Sequence, residues 1–115
     1  MELGKLNGAV NFAGVTNKTM GKPEGGIEVM DQDEWDFCIR INLTGVMQCL
    51  RAEIPQFADD GGFIVNAAST LGLTGHQYGA AYAVNKHGCI VRADKISHKG
   101  SWGKEHTGQL SCAIC

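Results

Sequence analysis

The sequence predicts an α/β fold, a piece of a three-layer sandwich with parallel strands between helices. Two short apolar runs bounded by small residues, Leu6–Asn11 and Phe63–Ala68, read as buried strands. Two longer stretches, about Asp33–Ile54 and Gly79–Arg92, repeat apolar residues at helical spacing. Strand and helix alternate, and strands joined through a helical crossover pair in parallel.

The first strand ends at Ala13-Gly14, where a tight turn is expected. Thr16–Gly26 contains Lys, Gly and Pro23 without periodicity and reads as a loop. Asp31-x-x-Glu34 has the form of a capping box opening the first helix. Trp35, Cys38, Ile39, Val46, Cys49 and Leu50 form one stripe along it, and Asn42 lies within that stripe. A buried amide needs hydrogen-bond partners, so Asn42 is a satisfied core residue, the site of a local kink, or functional. Pro55 ends or bends the helix. Asp59–Gly62 reads as a turn into the second strand, and residues 70–79, TLGLTGHQYG, as a Gly-punctuated loop after it.

Composition bounds the function. With 115 residues the chain is near the size of one small domain, and a net charge of −2 provides no basic field for nucleic acid. Sixteen Gly is about twice the usual share of roughly 7%, as short α/β connections require. No run approaches the ~18 apolar residues of a membrane span, and the first residues lack the pattern of a signal peptide. Five Cys is an odd number, and Cys38, Cys49 and Cys89 fall in apolar helical patterns; reduced thiols and a cytoplasmic location are expected.

The chemistry concentrates in Gly79–Arg92, GAAYAVNKHGCIVR. Tyr82 and Lys86 are neighbours on one helix face, which continues through Cys89, Ile90, Ala93 and Ile96. An ammonium beside a phenol favours the phenolate and suits it to proton exchange. The plainer alternative is a Lys stem lying along an aromatic ring with its head in water.

Ser69, thirteen residues before Tyr82, follows the strand GGFIVNAA. Strand–Ser–x12–Tyr–x3–Lys, here VNAAS followed by YAVNK, resembles the catalytic stretch of the short-chain dehydrogenase/reductase family. NFAG at Asn11–Gly14 resembles that family's Asn-Asn-Ala-Gly turn, with Phe12 replacing the second Asn, and INLTGVM at Ile41–Met47 resembles the segment carrying its fourth catalytic residue. The resemblance covers roughly residues 3 to 100 and implies a partial Rossmann-type domain over 1–100.

It further implies NAD(P)-dependent chemistry on a small-molecule carbonyl/alcohol pair, with NAD or NADP as cofactor. Tyr82 would be the general acid/base, Lys86 would assist it and hold the nicotinamide ribose, and Ser69 would bind the carbonyl oxygen. Asn42 would help hold a water linking Lys86 to solvent. Asn11, Ala13 and Gly14 would lie beside the cofactor ribose. Leu71, Leu73, His76 and Tyr78 sit where the family borders its substrate, although His76 reads more plainly as a solvated loop residue. The two long helices would build a homo-oligomer interface.

Two features depart from the family. The strand–GxxxGxG–helix segment that cradles a pyrophosphate is absent, and the chain starts where the family's fourth strand would. A non-catalytic remnant, unable to bind the dinucleotide by itself, is therefore the alternative reading. Residues 101–115, SWGKEHTGQLSCAIC, lack the family's Pro-Gly turn and read as a divergent loose tail. Cys112-x-x-Cys115 with His98 or His106 lacks the paired spacings of a zinc module, so no metal is expected.

Overall fold

The structure, a computed structural model, describes residues 3–57, 62–90 and the strand at 109–113. Its sheet has three strands, β1 (Gly8–Asn11), β2 (Phe63–Ala67) and β3 (Gln109–Ala113), in the order β1-β2-β3. All pairings are parallel; Ala9 lies opposite Ile64 and Asn11 opposite Asn66. The α/β class and parallel order are those the sequence predicts. Strand β3 corrects the expectation of a loose tail over 101–115: the backbone of 109–113 completes the far edge of β2. The proposed Cys112–Cys115 and His98 or His106 side chains, and Ala93 and Ile96, lie outside the described residues.

Because side chains alternate along a strand, Ala9, Asn11, Ile64 and Asn66 share one face of the sheet. The core lies on this face: Ile64, Phe57, Val46, Leu50 and Cys89 form one cluster, with Leu6, Ala9, Leu43 and Ile54 packed against it. Full burial of a side chain such as Ile64 contributes about 1.5–3 kcal/mol. The opposite face leaves Val10 and Phe63 54% and 50% exposed. Across it the Phe63 ring lies over Gly8, in the space where a side chain there would stand, so a larger residue at Gly8 would have to push that ring aside.

The helix expected over Asp33–Ile54 forms without interruption but contains a π-helical segment. It comprises α1 (Gln32–Ile39), a π-helical segment Arg40–Thr44, α2 (Gly45–Glu53) and a short 3-10 turn Ile54–Gln56 at Pro55. The Asp31 carboxylate caps α1 by accepting from the Asp33 and Glu34 amides. The reciprocal half of the expected capping box does not form, because the Glu34 carboxylate accepts from the Thr19 amide and hydroxyl instead and ties down the preceding loop. The π segment shifts the phase of everything after it, since i→i+5 closure advances each residue by less than the α-helical angle. Leu43 consequently turns toward the core, and Cys49, expected in the apolar stripe, is exposed.

Candidate active site

The C-terminal ends of β1 and β2 lie side by side, and the site is assembled there from four segments. The first is the Gly14–Val15 backbone that follows β1. The second is the π segment, which holds Asn42 fully buried at 0% exposure. Asn42 Oδ1 accepts from the Val15 amide at 2.7 Å, and its Nδ2 donates to the Val15 carbonyl at 2.7 Å and to Asn85 Oδ1 at 3.1 Å. Three bonds satisfy the amide, and the kink is a π-helical turn. The Asn42 carbonyl accepts from Cys89 Sγ at 3.2 Å.

The third segment is α3 (Ala80–Ile90). Its buried side runs through Ala81, Asn85, Lys86 and Cys89. Lys86 is 4% exposed, and its ammonium donates to the Ala67 carbonyl at the end of β2, at 3.3 Å. It stands 5.7 Å from the centroid of the half-buried Tyr82 ring. The fully buried Asn85 joins the network, with its Nδ2 donating to the Ala81 carbonyl at 2.7 Å. Sequence reasoning missed Asn85 because the stripe was drawn from Tyr82, one residue away from the true centre of the buried face; an amide four residues after a buried Ala was the available signal.

Gly14 closes the group. An ideal Cβ there would lie 3.2 Å from Asn42 Oδ1 and 3.3 Å from Lys86 Nζ, so the backbone approaches both as only a glycine allows without displacing them. Ala13 and Gly14 are exposed to solvent beside this pair. Asn11 is directed elsewhere: its amide donates to Glu53 at 3.1 Å and Asn66 at 3.0 Å, binding β1 to α2 and β2.

The fourth segment is the 3-10 turn Thr70–Gly72, which packs on α3. Ser69 caps it, and its Oγ accepts from the Leu71 amide at 3.3 Å. Leu71 and Leu73 line an apolar groove of about 300 Å³ with Ala83, Val84 and His87. His76 is exposed, and its ring donates to the Gln77 carbonyl. Tyr78 has φ 59°, and its carbonyl accepts from the Gly21 amide, joining this loop to Thr16–Gly26. A larger cleft of about 500 Å³, between Thr16–Lys18 and the start of α1, contains none of the expected site residues.

The short chain dehydrogenase family model matches residues 1–100. The chain belongs to the short-chain dehydrogenase family. It is 48% identical over 91 residues to short-chain dehydrogenase/reductase ABA4 of Pyricularia oryzae, covering 77% of this chain and 32% of that protein. It is 46% identical over 101 residues to the aba4 protein of Botryotinia fuckeliana, covering 84% and 38%. The chain thus spans about a third of the length of these curated relatives. Among solved structures it resembles a short-chain dehydrogenase from Mycobacterium smegmatis, with TM-score 0.65 and 36% identity over 74% of this chain and 34% of that one. A Burkholderia phymatum family member in complex with NAD shares the fold at TM-score 0.73 and 21% identity, over 96% and 37%. This family is one of oxidoreductases that use nicotinamide dinucleotides. Among the described residues no helix is long and apolar enough to cross a membrane.

Proposed function

We propose that the chain carries the proton-handling part of an NAD(P)-dependent oxidoreductase acting on a carbonyl/alcohol pair. One observation carries the reading. Lys86 is a buried ammonium with three donors, and among the described residues its hydrogen-bond partner is a single carbonyl, that of Ala67. A buried charge this sparsely satisfied is costly unless a ligand completes it. The hydroxyls of a nicotinamide ribose are suitable acceptors, and the Gly14 backbone leaves room for them beside Lys86 Nζ.

In this reading Lys86 binds the ribose and sets a positive charge beside Tyr82, which exchanges the proton with the substrate oxygen. Ser69 donates its hydroxyl hydrogen to that oxygen as negative charge develops, while its lone pair holds the Leu71 amide. Asn42 acts through the backbone it holds, fixing Gly14–Val15 against Lys86. When bound, the dinucleotide supplies or accepts the hydride. Support comes from the Tyr-x3-Lys spacing, from the convergence of Gly14, Asn42 and Lys86, and from relatives whose structures hold NAD, xylitol dehydrogenase among them.

The test is oxidation of NADH and NADPH against a panel of aldehydes and ketones, with Tyr82→Phe alongside. The expected result is loss of turnover by about 10²–10⁴-fold in the variant. Equal rates in Tyr82→Phe would sink the proposal. Absence of any dinucleotide binding by calorimetry would instead favour the non-catalytic reading, since the glycine turn that cradles a pyrophosphate is not in this sequence.

A further inference from the structure

Three consecutive residues of α3 reach three different elements. Asn85 bonds Asn42, Lys86 bonds the Ala67 carbonyl, and His87 bonds the Gly72 carbonyl. Successive helical side chains diverge by about 100°, so one turn of α3 anchors the π segment, the end of β2 and the turn after it. The first two anchors belong to the site already described. The third joins α3 to the Thr70–Gly72 turn, and no step of the proposed reaction uses it.

His87 Nδ1 lies 2.6 Å from the Gly72 carbonyl. A carbonyl only accepts, so Nδ1 must carry the hydrogen, which fixes the tautomer. Gly72 is buried and ends the Thr70–Gly72 turn. The remaining bonds of that turn are local. The Gly72 amide donates to the Ser69 carbonyl, the Leu73 and Thr74 amides to the Thr70 carbonyl, and the Leu71 amide to Ser69 Oγ. A single 3-10 turn has little intrinsic stability. His87 ties it to the helix that carries Tyr82 and Lys86.

We propose that His87 is a positioning residue for Ser69: its ring N–H holds the Gly72 carbonyl, and so fixes the turn that Ser69 caps. The proposal rests on the reading of Ser69 as the residue that binds the substrate oxygen. The Leu71 amide reports on the geometry directly, because it bonds Ser69 Oγ.

The test uses nitrogen-15 NMR and turnover of NAD(P)H with a carbonyl substrate, both on the full chain. Ring nitrogen shifts are expected to show Nδ1 protonated at neutral pH. His87→Phe, which keeps a ring but no donor, is expected to shift the Leu71 amide resonance and to speed Leu71 and Leu73 hydrogen exchange by about 2–10-fold, the range of one net hydrogen bond. The Val15 amide, held by Asn42, should not change. His87→Asn puts a side-chain N–H near the Nδ1 position and should restore both signals. In turnover, His87→Phe should lower kcat by about the same 2–10-fold with cofactor KM held within about twofold, and His87→Asn should recover it. A bare Nδ1, an unmoved Leu71 amide, or a kcat unaffected by His87→Phe would each overturn the proposal. Full activity in Tyr82→Phe would instead overturn the enzymatic reading itself, and the positioning role with it, whatever the ring and amide data show.

Discussion

The two faces of the small sheet are opposites. On the helix-covered face, polar side chains are buried or half-buried and paired: Asn11 with Asn66 and Glu53, and beyond the strand ends Asn42 with Val15 and Asn85. On the other face, apolar side chains, Val10 and Phe63, are half exposed. Ordinary packing would place these groups the other way round. The difference teaches where the information lies. A buried amide costs free energy unless every hydrogen bond is made, so the covered face is specified bond by bond, whereas the half-exposed Val10 and Phe63 demand no such pairing.

Substitutions should separate the two faces sharply. The largest effect is expected at Asn42. Asn42→Leu leaves the Val15 amide and carbonyl and Asn85 Oδ1 without their partner, and at about 1–3 kcal/mol for each buried group lost, stability should fall by about 3 kcal/mol or more. Asn85→Ala removes one partner of Asn42 and should cost about 1–2 kcal/mol. Urea denaturation measures both, and an Asn42→Leu midpoint equal to the parent's would remove the distinction between the faces.

The exposed face should respond in association rather than in stability. Val10 and Phe63 there, and Phe37, Met47 and Val84 on the helices, are exposed apolar groups that favour a dimer or aggregate. Light scattering at roughly tens of micromolar protein, an ordinary working range for self-association, should show more than a monomer. Phe63→Gln should reduce this with a stability change of about 1 kcal/mol or less, since half of the ring is already in water. If Phe63→Gln leaves association unchanged while a polar substitution at Phe37 or Met47 abolishes it, the helices are the associating surface.

The smallest effect concerns two thiols on the helix that contains the π segment. Burial, and then the nearby Glu34 carboxylate, push the Cys38 thiol above its ordinary value of 9.0. Cys49 is exposed. Alkylation followed by mass spectrometry should label Cys49 first and Cys38 more slowly by about tenfold or more. The sign of the pH effect follows. Cys38 contributes stability that is fully present below about pH 9, where the unfolded thiol ionises, and is lost as pH climbs through the raised folded value. Replacing Cys38 with Ala should flatten stability across that alkaline range.

Much of the candidate site was legible in the sequence, and the reason is spacing. Tyr82 and Lys86 are one helical turn apart, so i,i+4 geometry alone sets them together. Ser69 directly follows a strand, at the end where parallel sheets present their loops. Gly14 and Asn42 came from motif resemblance, and their residue types agree with the close approach and complete pairing found. His87 and Asn85 were not legible, because their partners, Gly72 and Asn42, lie 15 and 43 residues away.

By itself, then, the sequence determined the alternation of strand and helix, the parallel order and the Tyr82–Lys86 pair, all of which rest on local periodicity and short connections. Tertiary structure decided the rest. It placed a π turn at Asn42, which local propensity does not encode, and there Val15 and Asn85 bond the Asn42 side-chain amide and Cys89 its carbonyl. That turn rotated Cys49 out and Leu43 in. It joined residues 109–113 to the sheet, since a short strand with weak alternation is fixed by the β2 edge it pairs with. It directed Asn11 to Glu53 and Asn66, because an amide's partners are chosen by what the fold brings near it and not by its neighbours in the chain.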